Sequence, residues 1–161
     1  MASRESSSKN KGTKDYRYSV LQISDKFFGV EVLKVREVVS FPKLTIVPNV
    51  NESVLGVFNL RGQIFSVMDI RLMLKLPVTP LRDENLVVIL EQDDVAFGIV
   101  VDKVMDVANI DSNKIQIPTR EMPVKIAQYL DGCFDHKKFG MIYLLDISAL
   151  VNAKELKSYR F

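Results

Sequence analysis

The sequence predicts a mainly β fold: two small lobes of about five short strands each, related by internal duplication, with few short helices. Three observations predict it. The first is a repeat at an offset of 69 residues, in which Asp25, Phe28, Gly29, Val32, Lys34, Val35 and Val38 align with Asp94, Phe97, Gly98, Val101, Lys103, Val104 and Val107. The second is an echo after each copy: Gly56-Val57-Phe58-Asn59 leads into Ile64–Ile70, and Gly132-Cys133-Phe134-Asp135 leads into Ile142–Ile147. The third is a density of β-branched residues in short runs bounded by turn signals. Two copies are too few for a solenoid, so the pattern reads as a duplicated domain.

The elements follow in order. Tyr18–Ile23 has strand composition, Ser24-Asp25-Lys26 is a turn, and Phe27–Val30 returns. Val30–Val39 reads as one long strand, because valine loses χ1 freedom in a helix. The second copy repeats this as Asn85–Leu90, a turn at Gln92-Asp93-Asp94, and Val95–Val107. Gly29 and Gly98 fall inside strand patterns and predict bulges or sharp bends. Asn51-Glu52-Ser53 is expected to cap a single helical turn, and Arg61-Gly62 to turn the chain into a strand over Gln63–Asp69. Short helices are expected over Ile70–Leu74 with Asp69 as cap, over Val124–Leu130 after Pro123, and over Ile147–Leu156 with Asp146 as cap.

A chain of 161 residues with 47% hydrophobic content can bury one sizeable core. Its longest apolar runs, such as Leu86–Leu90, are far short of the roughly 20 residues that span a bilayer. Residues 1–15 lack the apolar stretch of a secretory signal and read as a disordered polar leader. The net charge of +2 is uneven: residues 1–17 carry +3 and the remainder −1. The body has no basic stripe, and nucleic acid is not an expected partner. A single cysteine, Cys133, excludes an internal disulfide and fits a reducing compartment, so the expected location is cytoplasmic.

No catalytic set, cofactor loop or metal spacing is found. The lone histidine, His136, lies in a Lys/Asp-rich loop pattern and reads as solvent decoration. Cys133 reads as a buried inert thiol. Asp69 and Asp146 are explained as helix caps. Asp102 and Asp106 share a face of the expected strand and could approach a cation, yet no further oxygen ligand is spaced to join them. The glycines are single, with no phosphate-cradling loop. What remains is an excess of aliphatic residues, Val30, Val32, Leu33, Val35, Val38 and Val39, that one strand cannot point inward together. Either the strand lies between two lobes or it offers an apolar patch to another protein.

At this point the residues resemble a known family. Gly56-Val57-Phe58-Asn59-Leu60-Arg61-Gly62-Gln63-Ile64-Phe65-Ser66-Val67-Met68-Asp69-Ile70-Arg71 is similar to the core motif of the CheW family of bacterial chemotaxis adaptors. Phe28–Val38 resembles that family's second-strand region, and Gly98–Val107 its later segment. The likeness implies two SH3-like five-stranded β-barrels, with a CheW-like domain over 16–155, lobes at about 16–80 and 81–150 with strand exchange between them allowed for, and a tail at 156–161. It implies a non-catalytic protein, monomeric when free, that needs no cofactor or metal and bridges chemoreceptor cytoplasmic tips to the regulatory domain of the histidine kinase CheA. It is not itself inserted in the membrane but is recruited to membrane-associated receptor arrays.

Carried onto matching positions, the resemblance implies a receptor-facing groove of Val32, Val35, Glu37 and Val38, with Val101 and Val107 from the second lobe. Arg61 falls on the family's signature arginine and is expected to pair with Glu37, or else to anchor its own turn. The kinase contact is expected on the first lobe around Phe27, Phe41 and Leu44, with Gly56 permitting close backbone approach nearby. Ser66 departs from the family motif, which commonly has proline there. The alternatives are an isolated regulatory domain of such a kinase, part of a fused adaptor, or a coupling protein of a non-flagellar pathway. An initial Met, a polar leader and the lack of an ATP-binding or receiver segment favour the stand-alone adaptor. An SH3-like pair binding proline-rich peptide would want exposed aromatics, and the chain has no Trp and only dispersed Tyr.

Overall fold

The computed structural model describes residues 15–117 and 124–153. Within them run β1 (Asp15–Ile23), β2 (Lys26–Glu31), β3 (Val35–Ser40), β4 (Val54–Leu60), β5 (Gln63–Met68), β6 (Leu86–Gln92), β7 (Val95–Val101), β8 (Lys103–Asp111), β9 (Leu130–His136) and β10 (Gly140–Leu145). Two short helices, α1 (Val124–Ala127) and α2 (Ile147–Val151), complete the regular structure apart from two 3-10 turns. The fold is mainly β, in two five-stranded sheets, as the composition predicts. One sheet has the order β8-β1-β2-β10-β9 and forms barrel A; the other has the order β3-β6-β7-β5-β4 and forms barrel B.

The two orders are the same order read through the repeat, with β8 for β3, β1 for β6, β2 for β7, β10 for β5 and β9 for β4. Each copy therefore lends its leading hairpin to the sheet completed by the other copy's last three strands. The copies join at the parallel pairs β2–β10 and β5–β7 and at the antiparallel pairs β1–β8 and β3–β6, and the remaining ladders are antiparallel. Both sheets draw on both halves of the sequence, so neither consists of 16–80 or 81–150 alone.

This exchange corrects one expectation. Val30–Val39 is not one strand: β2 stops at Glu31, a 3-10 turn carries the chain over Val32–Lys34, and β3 begins in the other sheet at Val35. A straight strand could not pair with β1 and with β6 at once. In the second copy the crossover is at Asp102, between β7 and β8. There Asp102 Oδ2 accepts from Ser24 N at 2.7 Å and Oδ1 from Asn85 Nδ2 at 3.1 Å, tying barrel A to barrel B. The first crossover instead leaves Leu33 94% exposed.

The exchange also explains the surplus of aliphatic residues. In β6, Val88 and Leu90 join Leu21, Phe28 and Phe97 in a cluster between the sheets, whereas Val87 and Ile89 fill barrel B with Phe65 and Val67. Barrel A has its own filling of Tyr18, Val20, Ile110, Ile142 and Leu144. The central strands are thus buried on both faces, which requires continuous apolar runs. Each such side chain contributes about 1.5–3 kcal/mol.

Gly29 and Gly98 do not mark bulges. Both sit in regular register, opposite Val20 and Ile89. A Cβ on Gly98 would lie 2.5 Å from Val87 Cγ1, and one on Gly29 2.9 Å from Leu144 Cδ2, so glycine is there for space.

The expected helices are shorter or absent. Asn51 Oδ1 accepts from Ser53 N at 2.9 Å in a turn that is not helical. Ile70–Leu74 is a run of turns in which Leu74 N donates to Ile70 O. The predicted helix over Val124–Leu130 stops at Ala127, because Leu130 already opens β9. Asp146 caps α2 as expected, accepting from Ala149 N at 3.0 Å, and the part of that expected helix beyond residue 153 lies outside the described residues, as do the leader over residues 1–14 and the tail. No helix of the described residues is long and apolar enough to cross a membrane.

Candidate functional site, a partner-docking surface

β3 lies at one edge of barrel B and β4 at the other. Closure depends on the chain between them: Thr45 and Val57 exchange backbone hydrogen bonds at 2.8 and 2.9 Å. Side chains also cross the gap. Arg61 and Gly62 form a two-residue turn with φ of +50° and +87°, the mirror-image geometry that suits a tight hairpin. Asn59 Oδ1 locks the turn by accepting from Gly62 N at 2.9 Å. Arg61 then reaches back to β3 and donates from Nη2 to Glu37 Oε2. Beside it, Arg36 donates to Gln63 Oε1 at 3.1 Å and lies over the ring of Phe65. The hydrogen bond that Arg61 donates to Glu37 raises the guanidinium above its ordinary pKa.

The repeat carries this device twice. In barrel A, Lys138 of the β9–β10 turn donates from Nζ to Asp106 Oδ2 on β8 at 2.8 Å. Asp106 is the repeat partner of Glu37, and Lys138 holds its carboxyl below the usual range. A backbone bridge between Gln116 and Cys133 closes this barrel as Thr45 and Val57 close the other.

The predicted receptor-facing residues separate into four groups. Glu37 and Arg61 are in contact, as expected for a pair. Val35 and Val32 are half-buried beside the first crossover, Val35 against the central cluster, while Val38 is 40% exposed on the same strand as Glu37. Val107, 48% exposed, lies on β8 of barrel A, paired with Ser19. Val101 is a correction: at 1% exposure it belongs to the central cluster and offers no surface, because β7 is a central strand.

The predicted kinase-facing residues also divide. Phe41 and Leu44 pack half-buried against the filling of barrel B. Gly56 is buried beside them, with φ of +152°, and a Cβ there would lie 2.5 Å from Thr45 O. Its role is the close approach that lets Thr45 pair with β4, so as a contact residue it is corrected. Phe27 is corrected too. It lies in barrel A against Phe139 at 5.3 Å, because β2 leaves its own half of the chain.

Other features of the surface and its surroundings emerge only from the fold. Ile46 and Ile64 are exposed near the Thr45 bridge and the Arg61 turn. Asp69 heads a run of turns rather than a helix, and its carboxylate accepts from Arg71 Nε at 2.9 Å and Nη2 at 2.7 Å, both residues being buried. Glu31, Asp131 and Asp146 line a cleft of about 230 Å³. Burial, then Asp146 and Glu31, push the Asp131 carboxyl up to about 6. Asp102 and Asp106 are committed to separate partners, and no cluster of three or more metal-ligating side chains occurs among the described residues. Burial pushes the Cys133 thiol up.

Comparison with known proteins gives a consistent result. The CheW-like domain family model matches residues 17–155. The chemotaxis protein CheW of Klebsiella aerogenes is 29% identical over 86% of this chain and 83% of its own length, and that of Treponema pallidum 28% identical over 88% and 85%. Protein PilI of Pseudomonas aeruginosa is 28% identical over 76% of this chain and 68% of its own. Among solved structures, the scaffolding protein CheW of Thermoanaerobacter tengcongensis superposes with a TM-score of 0.77 at 23% identity, covering 88% of this chain and 91% of its own.

Proposed function

Since the chain belongs to the CheW-like domain family, we propose that it is a non-catalytic adaptor coupling chemoreceptor cytoplasmic tips to the regulatory domain of the histidine kinase CheA. The observation that supports this reading most is the edge strand β3. It presents exposed Val38 beside half-buried Val35, with Glu37 fixed by an arginine from the facing turn. A helical tip can bury these valines, while the Glu37–Arg61 pair keeps the edge in one shape. Val32 and, from barrel A, Val107 extend the receptor set. The kinase set is reduced to Phe41 and Leu44. The protein works in the cytoplasm as a monomer until receptor arrays recruit it.

A related reading is that the same coupling serves a pathway with a non-flagellar output, and the similarity to PilI favours it as a second possibility.

Val38→Glu tests the surface. It places an unpaired charge where an apolar partner would bury it. The reading expects at least ten-fold weaker association with a receptor tip at unchanged melting temperature, and unaltered association would remove β3 from the interface.

A further inference from the structure

We propose that His136 is a pH-sensitive latch on the β9–β10 turn of barrel A, released by protonation so that Lys138 leaves Asp106. The backbone N–H groups of Lys138 and Phe139 both donate to His136 Nδ1, at 3.1 and 3.4 Å. An imidazole nitrogen accepts only when it carries no proton, so this turn requires the tautomer with hydrogen on Nε2. Protonation puts an N–H at Nδ1 that faces two other N–H groups, and the turn loses its acceptor.

The ring has little freedom to escape that conflict. It stacks on Phe139 with centroids 5.2 Å apart and lies 6.2 Å from Phe134, while Phe139 packs on Phe27 at 5.3 Å. Rotating the ring by half a turn would offer the amides a C–H instead of a nitrogen. The charged groups around the turn are Asp135, Lys137 and Lys138 of the hairpin itself and Asp106 from β8, while Lys26 of β2 sits over the ring of Tyr143. The two turn lysines oppose a further positive charge and the two aspartates favour one.

The consequence reaches the seam of the barrel through Lys138. Its Nζ bridges to Asp106 Oδ2 at 2.8 Å, and the turn carries that side chain toward β8. Barrel B performs the same task with Asn59, whose Oδ1 accepts from Gly62 N and does not titrate. The duplicated seam is therefore pH-sensitive in one copy and insensitive in the other. This inference stands apart from the adaptor reading, since it concerns the isolated fold.

The test is nuclear magnetic resonance of the full chain from pH 8 to pH 5, following the imidazole nitrogens of His136 and the amides of Lys138 and Phe139. At pH 8 the Nε2–H tautomer and protected amides are expected. Below the imidazole titration, exchange of both amides, corrected for its intrinsic pH dependence, should rise at least ten-fold. His136→Asn should keep the protection and abolish the pH response, because an amide oxygen replaces Nδ1. The Nδ1–H tautomer at pH 8, protection unchanged through the titration, or a pH response that persists in His136→Asn would each overturn the proposal.

Discussion

Glu37 on β3 accepts a hydrogen bond from Arg61 in the β4–β5 turn, and the contact spans the seam between the two edge strands of barrel B. It is an exposed pair, so its worth is geometric: it fixes the edge strand relative to the facing turn. Arg61→Ala should therefore weaken receptor-tip association several-fold while barely moving the melting temperature. A double-mutant cycle with Glu37→Ala, read on binding, should give a coupling energy; its absence would mean that the two residues act separately.

The pair of Asp69 and Arg71 is the opposite case. Both are buried, the guanidinium is bidentate on the carboxylate, and Arg71 Nη1 also donates to Thr79 Oγ1 at 3.2 Å. Removing one partner strands a charge away from water. Arg71→Met alone should cost about 3–5 kcal/mol in denaturant unfolding, and Asp69→Asn together with Arg71→Met should recover most of it. Additive losses would contradict the coupling.

Asp131 gives the fold a pH dependence with a definite sign. Its carboxyl is raised from 3.8 to about 6, first by burial and then by Asp146 and Glu31. Between those values the folded protein holds a proton that the unfolded chain has released, so stability falls as pH rises through that window. The residue keeps a solvent-exposed flank, which limits the effect at neutral pH to about 1 kcal/mol. Asp131→Asn should raise stability at pH 7.5 by about that amount and leave it nearly unchanged at pH 4, as measured by urea unfolding.

The duplication and the two-lobed β fold were legible from the repeat of Phe28-Gly29 at Phe97-Gly98 and from the β-branched runs. The crossover between sheets was not. The β-branched run through Val30–Val39 has strand composition whether the strand continues or changes sheet, and Leu33 at the crossover is as apolar as the valines around it. Phe27 was assigned to the wrong barrel, and Val101 to the surface, for the same reason: pairing partners lie in the other half of the chain. Within the site, Glu37 and Arg61 were legible because the motif around Arg61 is specific. The second seam was missed because Lys138 sits in a turn of ordinary polar composition, and His136 because its acceptor role depends on where two backbone amides point.

The adaptor account is tested most directly by calorimetric titration of this protein with the regulatory domain of its cognate CheA, and separately with a chemoreceptor cytoplasmic tip. The account predicts saturable one-to-one binding to each, with Val38→Glu weakening the receptor titration alone. Binding to neither partner by the folded protein would contradict it.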